Sequence, residues 1–355
     1  MVLLPEPFAS LERVPLLFDT PSPLHPLPRL SEHVRNTTYT HAPLQIWAKR
    51  EDCSSGIGLG GNKIRKLEYV FPSPLSGGCD TVVTTGGVQS NHMRQVVAVA
   101  NRLGLKTVLV PQSPPKPDPE AYDVGGNVQV NKILGAEYTA PGLSLEDAAE
   151  SLRRNGKKPY VIAPGASSHL CGGLGFARWA FEVVEQEQSL GVFFDYVVVP
   201  VASGGTIGGM LAGFKLADRL QSASSGDPAT KRRERNVIGI DTYNKPAGVL
   251  EALILEISQR TARLIGLEDG AVRPEDVVLD TRYNAGTHSG WSQLTAEAVK
   301  LLAQTEGVIS DPIYSGRALG AILAKARLGE FEGGGNVLFV HTGGQAALSA
   351  FPAMN

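Results

Sequence analysis

The sequence predicts an α/β protein of two lobes, built from open twisted sheets flanked by helices. Three observations predict it. Asp80-Thr81-Val82-Val83-Thr84-Thr85 is a β-branched run of the buried-strand type. It passes through Gly86-Gly87 into a helical pattern (Val96, Val97, Ala100, Leu103) and then into Lys106-Thr107-Val108-Leu109-Val110; strand, helix, strand with short links require a parallel sheet and a right-handed crossover. A second run over residues 195–202 feeds Ser203-Gly204-Gly205-Thr206-Ile207-Gly208-Gly209 and a further helix. Third, the 355 residues are 42% hydrophobic and 19% charged, a soluble composition long enough for two substantial cores.

Taken in order, residues 1–42 carry Pro21, Pro23, Pro26 and Pro28 close together and read as an extended surface arm. Residues 45–52 begin as a short strand. Gly60-Gly61-Asn62-Lys63-Ile64-Arg65-Lys66-Leu67-Glu68-Tyr69 follows. The glycines permit a tight turn or close approach to a ligand. Asn62 is a favoured N-cap, and Ile64, Leu67 and Val70 recur at helical spacing. Lys63 therefore falls in the first turn of a helix, where the macrodipole opposes its charge and would lower its pKa. A partly neutral lysine can attack a carbonyl and form a Schiff base. The stretch alone equally admits a lysine that binds phosphate or carboxylate, or a solvated one.

Residues 113–119 form a proline-rich loop, a helix and strand run through residues 134–138, and a strand over 159–163 closes a small lobe. A second lobe starts near residue 172. It holds a helix to Leu190, the strand over 195–202, a helix ending near Leu220, a strand over 237–241, helices near 248–265 and 292–306, and a strand over 336–341. Residues 221–236 read as a loop, with Lys231-Arg232-Arg233-Glu234-Arg235 a solvated charge run or, as the weaker alternative, a localisation signal. The expected division is a large domain of residues 1–60 and 165–355 and a small α/β domain of residues 61–164.

A net charge of −2 and a pI near 6.4 point to no nucleic-acid partner. Cys53, Cys79 and Cys171 are too few and too scattered for a disulfide framework, and no His/Cys spacing suggests a metal. No basic region precedes a long apolar stretch and no run reaches membrane-spanning length, so a cytoplasmic enzyme without membrane contact is expected.

Ligands of open α/β sheets gather at the C-terminal strand edge. Three polar loops fall there: Gln89-Ser90-Asn91-His92, Ser203 to Gly209, and Thr342-Gly343-Gly344. The second can cradle a phosphate on its amides and the helix N-terminus, or be a plain βα turn. It is neither GxGxxG nor a P-loop. A phosphate site plus an aldehyde-trapping lysine is what pyridoxal phosphate needs.

Lys49-Arg50-Glu51-Asp52-Cys53, Gly60-Gly61-Asn62-Lys63, Gly86-Gly87-Val88-Gln89-Ser90-Asn91-His92, Gly172-Gly173-Leu174-Gly175-Phe176, Asp195-Tyr196-Val197-Val198-Val199 and Val278-Leu279-Asp280-Thr281-Arg282-Tyr283 occur in this order. Together they resemble the 1-aminocyclopropane-1-carboxylate deaminase family and its sister group, the D-cysteine desulfhydrases. The resemblance runs from about residue 20 to the end. It implies a homodimeric pyridoxal-phosphate enzyme of fold type II, the tryptophan-synthase-β type, acting on a small amino acid. It further implies that Lys63 carries the cofactor as a Schiff base and that Lys66 lies toward its phosphate. Ser203, Gly204, Gly205 and Thr206 would hold that phosphate, and Asn91 would meet the phenolic oxygen. Gln89, Ser90, Asn91 and His92 would receive the substrate carboxylate, with Ser90 both N-cap and proton shuttle, and Tyr314 would line the substrate face.

Three positions depart from the deaminase pattern. Ser315 stands where the deaminases have a glutamate facing the pyridine nitrogen, and Thr342 where they have leucine. The desulfhydrases carry hydroxyl residues at both. His288 falls where both groups carry a tyrosine; it reads as an acid or base, or as a structural histidine. A carboxylate beside the pyridine nitrogen keeps it protonated and a strong electron sink; a serine hydroxyl does not. The expectation is therefore desulfhydrase-like loss of an α-proton and β-elimination to a 2-oxo acid and ammonia. The alternatives are cyclopropane ring opening, elimination or replacement on an amino acid of specialised metabolism, and a non-catalytic cofactor-binding protein.

Overall fold

The computed structural model describes residues 2–37, 44–112, 119–140, 142–225, 233–286, 290–331 and 333–354. Among the described residues the strands are β1 (Leu24–Pro26), β2 (Leu44–Arg50), β3 (Thr81–Gly87), β4 (Lys106–Gln112), β5 (Glu137–Tyr138), β6 (Pro159–Ile162), β7 (Tyr196–Val201), β8 (Asn236–Asp241), β9 (Val278–Asp280) and β10 (Gly335–His341). The α-helices are α1 (Pro28–Thr37), α2 (Lys63–Val70), α3 (Pro72–Ser76), α4 (Asn91–Arg102), α5 (Pro119–Val124), α6 (Gly126–Ile133), α7 (Leu145–Arg154), α8 (Leu174–Leu190), α9 (Gly205–Ser225), α10 (Val249–Leu264), α11 (Gln293–Glu306) and α12 (Ser315–Arg327).

Six strands form one sheet in the order β1-β2-β10-β7-β8-β9, and four form another in the order β5-β4-β3-β6. All pairs are parallel except β1 on β2. Parallel strands covered on both faces must be apolar on both. In the larger sheet Val197, Val199, Leu338 and Val340 face the core formed with α8, α9 and α10. Val198, Ile240, Val337 and Phe339 face the core formed with α1, α11 and α12. In the smaller sheet Val82 packs under α4 and α2, whereas Val83, Val108 and Val110 pack under α7. The loops that follow β3, β7, β8 and β10 leave the C-terminal strand ends, where the site is built.

Three expectations are corrected. The first segment is no surface arm. Phe8, Leu16, Leu27, Leu30 and Val34 are buried, β1 adds to the sheet edge, and α1 covers it. Pro28 sits at the start of α1, where proline costs the helix no hydrogen bond, and Leu27, Leu30 and Val34 then form one apolar stripe. Residues 38–42 lie outside the described residues. Next, α9 continues past Leu220 to Ser225, and residues 226–232, with part of the basic run, lie outside the described residues. Lastly, α7 and α12 occupy segments for which the sequence predicts no element. Among the described residues no helix is long and apolar enough to cross a membrane.

Candidate functional site

Lys63 opens α2 at the end of a contorted turn. Gly58, Leu59, Gly60 and Gly61 all have positive φ (53°, 67°, 65° and 116°). Glycine is needed here for space as well: a Cβ on Gly60 would lie 2.5 Å from the Asp52 carbonyl oxygen, and one on Gly61 2.7 Å from Gln95 Nε2. The turn is stitched to its surroundings by Gly61 N donating to Glu51 O (3.0 Å) and Asn62 N to Thr342 O (3.0 Å). Asn62 does not cap the helix as expected. It is itself helical in φ/ψ, and its Nδ2 donates instead to Thr206 Oγ1 (3.1 Å), a partner on α9 that local sequence cannot announce. Its Oδ1 accepts from Lys63 Nζ (3.2 Å). The Lys63 pKa is lowered, as expected, to about 8; burial lowers it, partly opposed by the Asp311 carboxylate.

One turn on, Lys66 is 1% exposed and has no carboxylate within ion-pair distance among the described residues. Its Nζ donates to Gly165 O and Ser167 Oγ, both at 3.2 Å. Burial, then the Lys63 charge, push its pKa well below the ordinary value. Ser167 also bonds Ser203 Oγ (2.8 Å) and accepts from Gly205 N (3.1 Å). A Cβ on Gly205 would lie 2.5 Å from Ser167 Oγ and 2.8 Å from Lys66 Nζ. A buried cation without an anion thus stands beside a glycine-lined cup at the N-terminus of α9. A phosphate dianion is the group these residues fit.

The β3–α4 loop forms another wall. Ser90 Oγ caps α4 by accepting from Met93 N (3.2 Å). Gln89 has its amide fully engaged: Nε2 donates to Tyr122 O (2.7 Å) and Gly125 O (3.0 Å), and Oε1 accepts from Asn127 N (2.8 Å). Asn91 Oδ1 accepts from Asn127 Nδ2 (2.8 Å). His92 Nε2 lies 3.0 Å from Thr84 Oγ1, whose proton goes to Ile162 O. Burial, then the charges of Lys63 and Lys66, lower its pKa to about 3, so the ring is neutral at pH 7.

The facing wall comes from the segment before α12 and the loop after β10. Asp311 accepts from the amides of Ile313 (2.9 Å), Tyr314 (2.7 Å) and Ser315 (2.9 Å), which is how α12 begins. Burial raises its pKa against these bonds. Burial, then the Asp311 charge, carry the Tyr314 phenol well above its usual range; Tyr122 and Tyr243 add to this. Ser315 Oγ lies 3.1 Å from Thr342 Oγ1, from Gly343 O and from Thr342 N. The two departures from the deaminase pattern therefore touch.

These walls enclose a cavity of about 640 Å³, a size that takes a cofactor and a small substrate. Of the residues singled out in the sequence, Lys63, Gln89, Ser90, Asn91, His92, Ser203, Gly204, Thr206, Tyr314 and Thr342 line it. Lys66, Gly205 and Ser315 stand behind the lining, and His288 lies outside the described residues. Asp311, Tyr122, Tyr243 and Lys245 line the cavity and were missed. An aspartate just before a helix start was the available signal for Asp311; the others carry no motif.

The pattern of the family described as pyridoxal-phosphate dependent enzyme matches residues 16–343. A 1-aminocyclopropane-1-carboxylate deaminase of Burkholderia cenocepacia is 44% identical over 347 residues, covering 96% of both chains. One of Pseudomonas syringae pv. syringae is 42% identical over 351 residues, covering 97% of both. A crystal structure described as an ACC deaminase homologue superposes with a TM-score of 0.80 at 31% identity, covering 98% of this chain and 96% of the other.

Proposed function

The chain belongs to the pyridoxal-phosphate dependent enzyme family, and on that premise we propose that it is a lyase and deaminase of a small amino acid, working by β-elimination. In the overall reaction the α-proton leaves. The bond from Cβ to the leaving group breaks with its electron pair on that group, and water converts the remaining enamine to a 2-oxo acid and ammonium. Lys63 would hold the cofactor covalently. A pKa near 8 leaves part of its amine free at neutral pH to do so. Lys66, Ser203, Gly204, Gly205 and Thr206 would hold the phosphate. Bound there, pyridoxal phosphate supplies the electron sink for the bond broken at Cα. Ser90, at the cavity wall, would move the proton. Tyr314, with its raised pKa, stays a protonated donor on the substrate face.

The observation that carries this reading is the contact between Ser315 and Thr342. The only carboxylate lining the cavity among the described residues is Asp311, and three backbone amides already occupy it. With no carboxylate at position 315 the sink is weak, which suits a substrate with an α-hydrogen and a good β-leaving group. The second reading, ring opening of 1-aminocyclopropane-1-carboxylate, is favoured by the names of the relatives at 42% and 44% identity. The same reading includes a homodimer in the cytoplasm and a chain divided into residues 1–60 with 165–355 and residues 61–164.

The test is release of 2-oxo acid and ammonia by the holoenzyme from D-cysteine, β-chloroalanine and 1-aminocyclopropane-1-carboxylate. Elimination from the first two and feeble ring opening are expected, and Ser315→Glu with Thr342→Leu should shift the balance toward ring opening. The two side chains touch, so their effects need not add. Efficient ring opening by the unaltered enzyme would overturn the elimination reading in favour of the second.

A further inference from the structure

Arg94, on α4, is 1% exposed and has no carboxylate partner among the described residues. Its guanidinium donates instead to neutral oxygens: from Nη1 to the carbonyls of Gly58 and Gly60 (3.2 Å for the latter), and from Nε to Asn127 Oδ1 (2.7 Å). Burying a cation this way is costly, so its partners deserve a reason. Two of them are carbonyls of the left-handed turn that ends at Lys63. The third leads to the β3–α4 loop that lines the cavity.

An amide side chain can usually be turned end for end without trace in a structure. Asn127 cannot. Arginine has donors only, so the Asn127 atom beside Nε must be oxygen. A backbone carbonyl only accepts, so the Asn127 atom 2.9 Å from Gln89 O must be nitrogen. Both neighbours force the same orientation. The Asn127 nitrogen then has a hydrogen left for Asn91, 2.8 Å away, which must answer with its oxygen. What Asn91 has left for the cavity is Nδ2, a donor.

We propose that Arg94 and Asn127 are positioning residues that lock Asn91 as a hydrogen-bond donor toward the cavity, matched to an anionic oxygen of the bound cofactor. This rests on the reading that Asn91 meets the phenolic oxygen of pyridoxal phosphate. Arg94 does more than fill space: one donor-only group sets both the turn before Lys63 and the polarity of Asn91.

Asn127→Asp tests it, being nearly isosteric. Its carboxylate still pairs with Arg94 but has no hydrogen for Asn91, so Asn91 turns over and offers oxygen to the cavity. In the holoenzyme, the pH midpoint of the cofactor's visible absorption should rise by about one unit, because losing a donor to an oxyanion favours the protonated form. kcat should fall about tenfold with KM within about twofold, and Asn91→Ala should move the midpoint the same way. An unchanged midpoint in Asn127→Asp beside a shifted one in Asn91→Ala would overturn the proposal. An unchanged midpoint in both would overturn the contact of Asn91 with the phenolic oxygen, and the proposal with it; the elimination reading is judged by its own assay. Should Asn127→Asp not fold, neutron diffraction from the parent holoenzyme decides: deuterium on the Asn91 atom facing the cavity is expected, and a bare oxygen there would overturn the proposal.

Discussion

The two faces of α2 carry the same charge and opposite surroundings. On one face Arg65 is 1% exposed and meets Glu51 (2.5 Å) and Glu182 (2.9 Å), with Ser22 Oγ at 3.0 Å. Lys49 joins from β2 at 2.5 Å from Glu182, and Trp179 Nε1 donates to Glu51 (3.0 Å). Burial alone would raise the Glu182 pKa, yet Arg65 and Lys49 hold it well below the usual carboxylate range. On the other face Lys63 and Lys66 are desolvated as well, and among the described residues no carboxylate pairs with either in the way Glu51 pairs with Arg65. The first face is complete within the chain and anchors the helix to β2, α8 and the N-terminal segment. The second is complete only with an anion from outside. On this helix depth of burial does not separate the two faces; whether the chain supplies the counter-charge does.

Four changes would break or sharpen this contrast. Lys63→Ala, on the open face, should abolish borohydride fixation of the cofactor and lower turnover by about 10⁴-fold or more, without loss of fold. Glu182→Gln, on the closed face, should destabilise the protein by about 3–5 kcal/mol in chemical denaturation, because it strands the buried Lys49 and leaves Arg65 with Glu51 alone. A loss under about 1 kcal/mol would mean that the cluster does not anchor α2. Lys66→Met should act in the opposite sense: the melting temperature of cofactor-free protein holds or rises, while affinity for pyridoxal phosphate falls by about 10–100-fold, the worth of one charge-assisted hydrogen bond. Weakened folding with unchanged cofactor affinity would put Lys66 on the structural side.

The smallest effect is in pH. Lys63 has a folded pKa of about 8, and that of Lys66 is also lowered, against roughly 10.4 for an unfolded lysine. Below the folded pKa both states hold the proton and the full cost of the buried charge remains. Between about 8 and 10.4 the unfolded chain binds more protons, so stability rises with pH. Cofactor-free protein should therefore gain about 1 kcal/mol or more between pH 8 and 10 relative to Lys63→Met/Lys66→Met. Lys49, also lowered to about 8, is present in both and cancels. Parallel curves for the two proteins would break the contrast.

The sequence announces the parts whose signal is local. The β3 loop into α4, the β7 loop into α9, and Lys63 at the head of α2 all follow from strand chemistry, glycines and helical spacing. The failures are long-range. Asn62 resembles a cap until Thr206 arrives from a distant helix. The prolines before Pro28 suggest an arm, because proline marks an extended segment and a helix start alike. Ser315 to Arg327 is rich in alanine and glycine and buried nearly all round, so it shows no polar face to set a period. The cluster joining Ser22, Lys49, Glu51, Arg65 and Glu182 spans 160 positions from Ser22 to Glu182, and nothing in any one segment predicts it.

The order of the larger sheet has a consequence for the chain as it is synthesised. β1 and β2 come early, but their only route into that sheet is β10, the last strand, which separates β2 from β7. A ribosome that has released residues 1–330 has therefore delivered the two early strands without a partner beyond each other. The four-stranded sheet needs nothing after Ile162, and all its pairings lie within residues 81–162. Domains fold as units during synthesis, the N-terminal first, and long-range pairings are slow and leave strand edges open. Here the nascent chain completes its smaller sheet first and leaves one edge of β2 open until β10 follows, the interval in which a chaperone has most to protect.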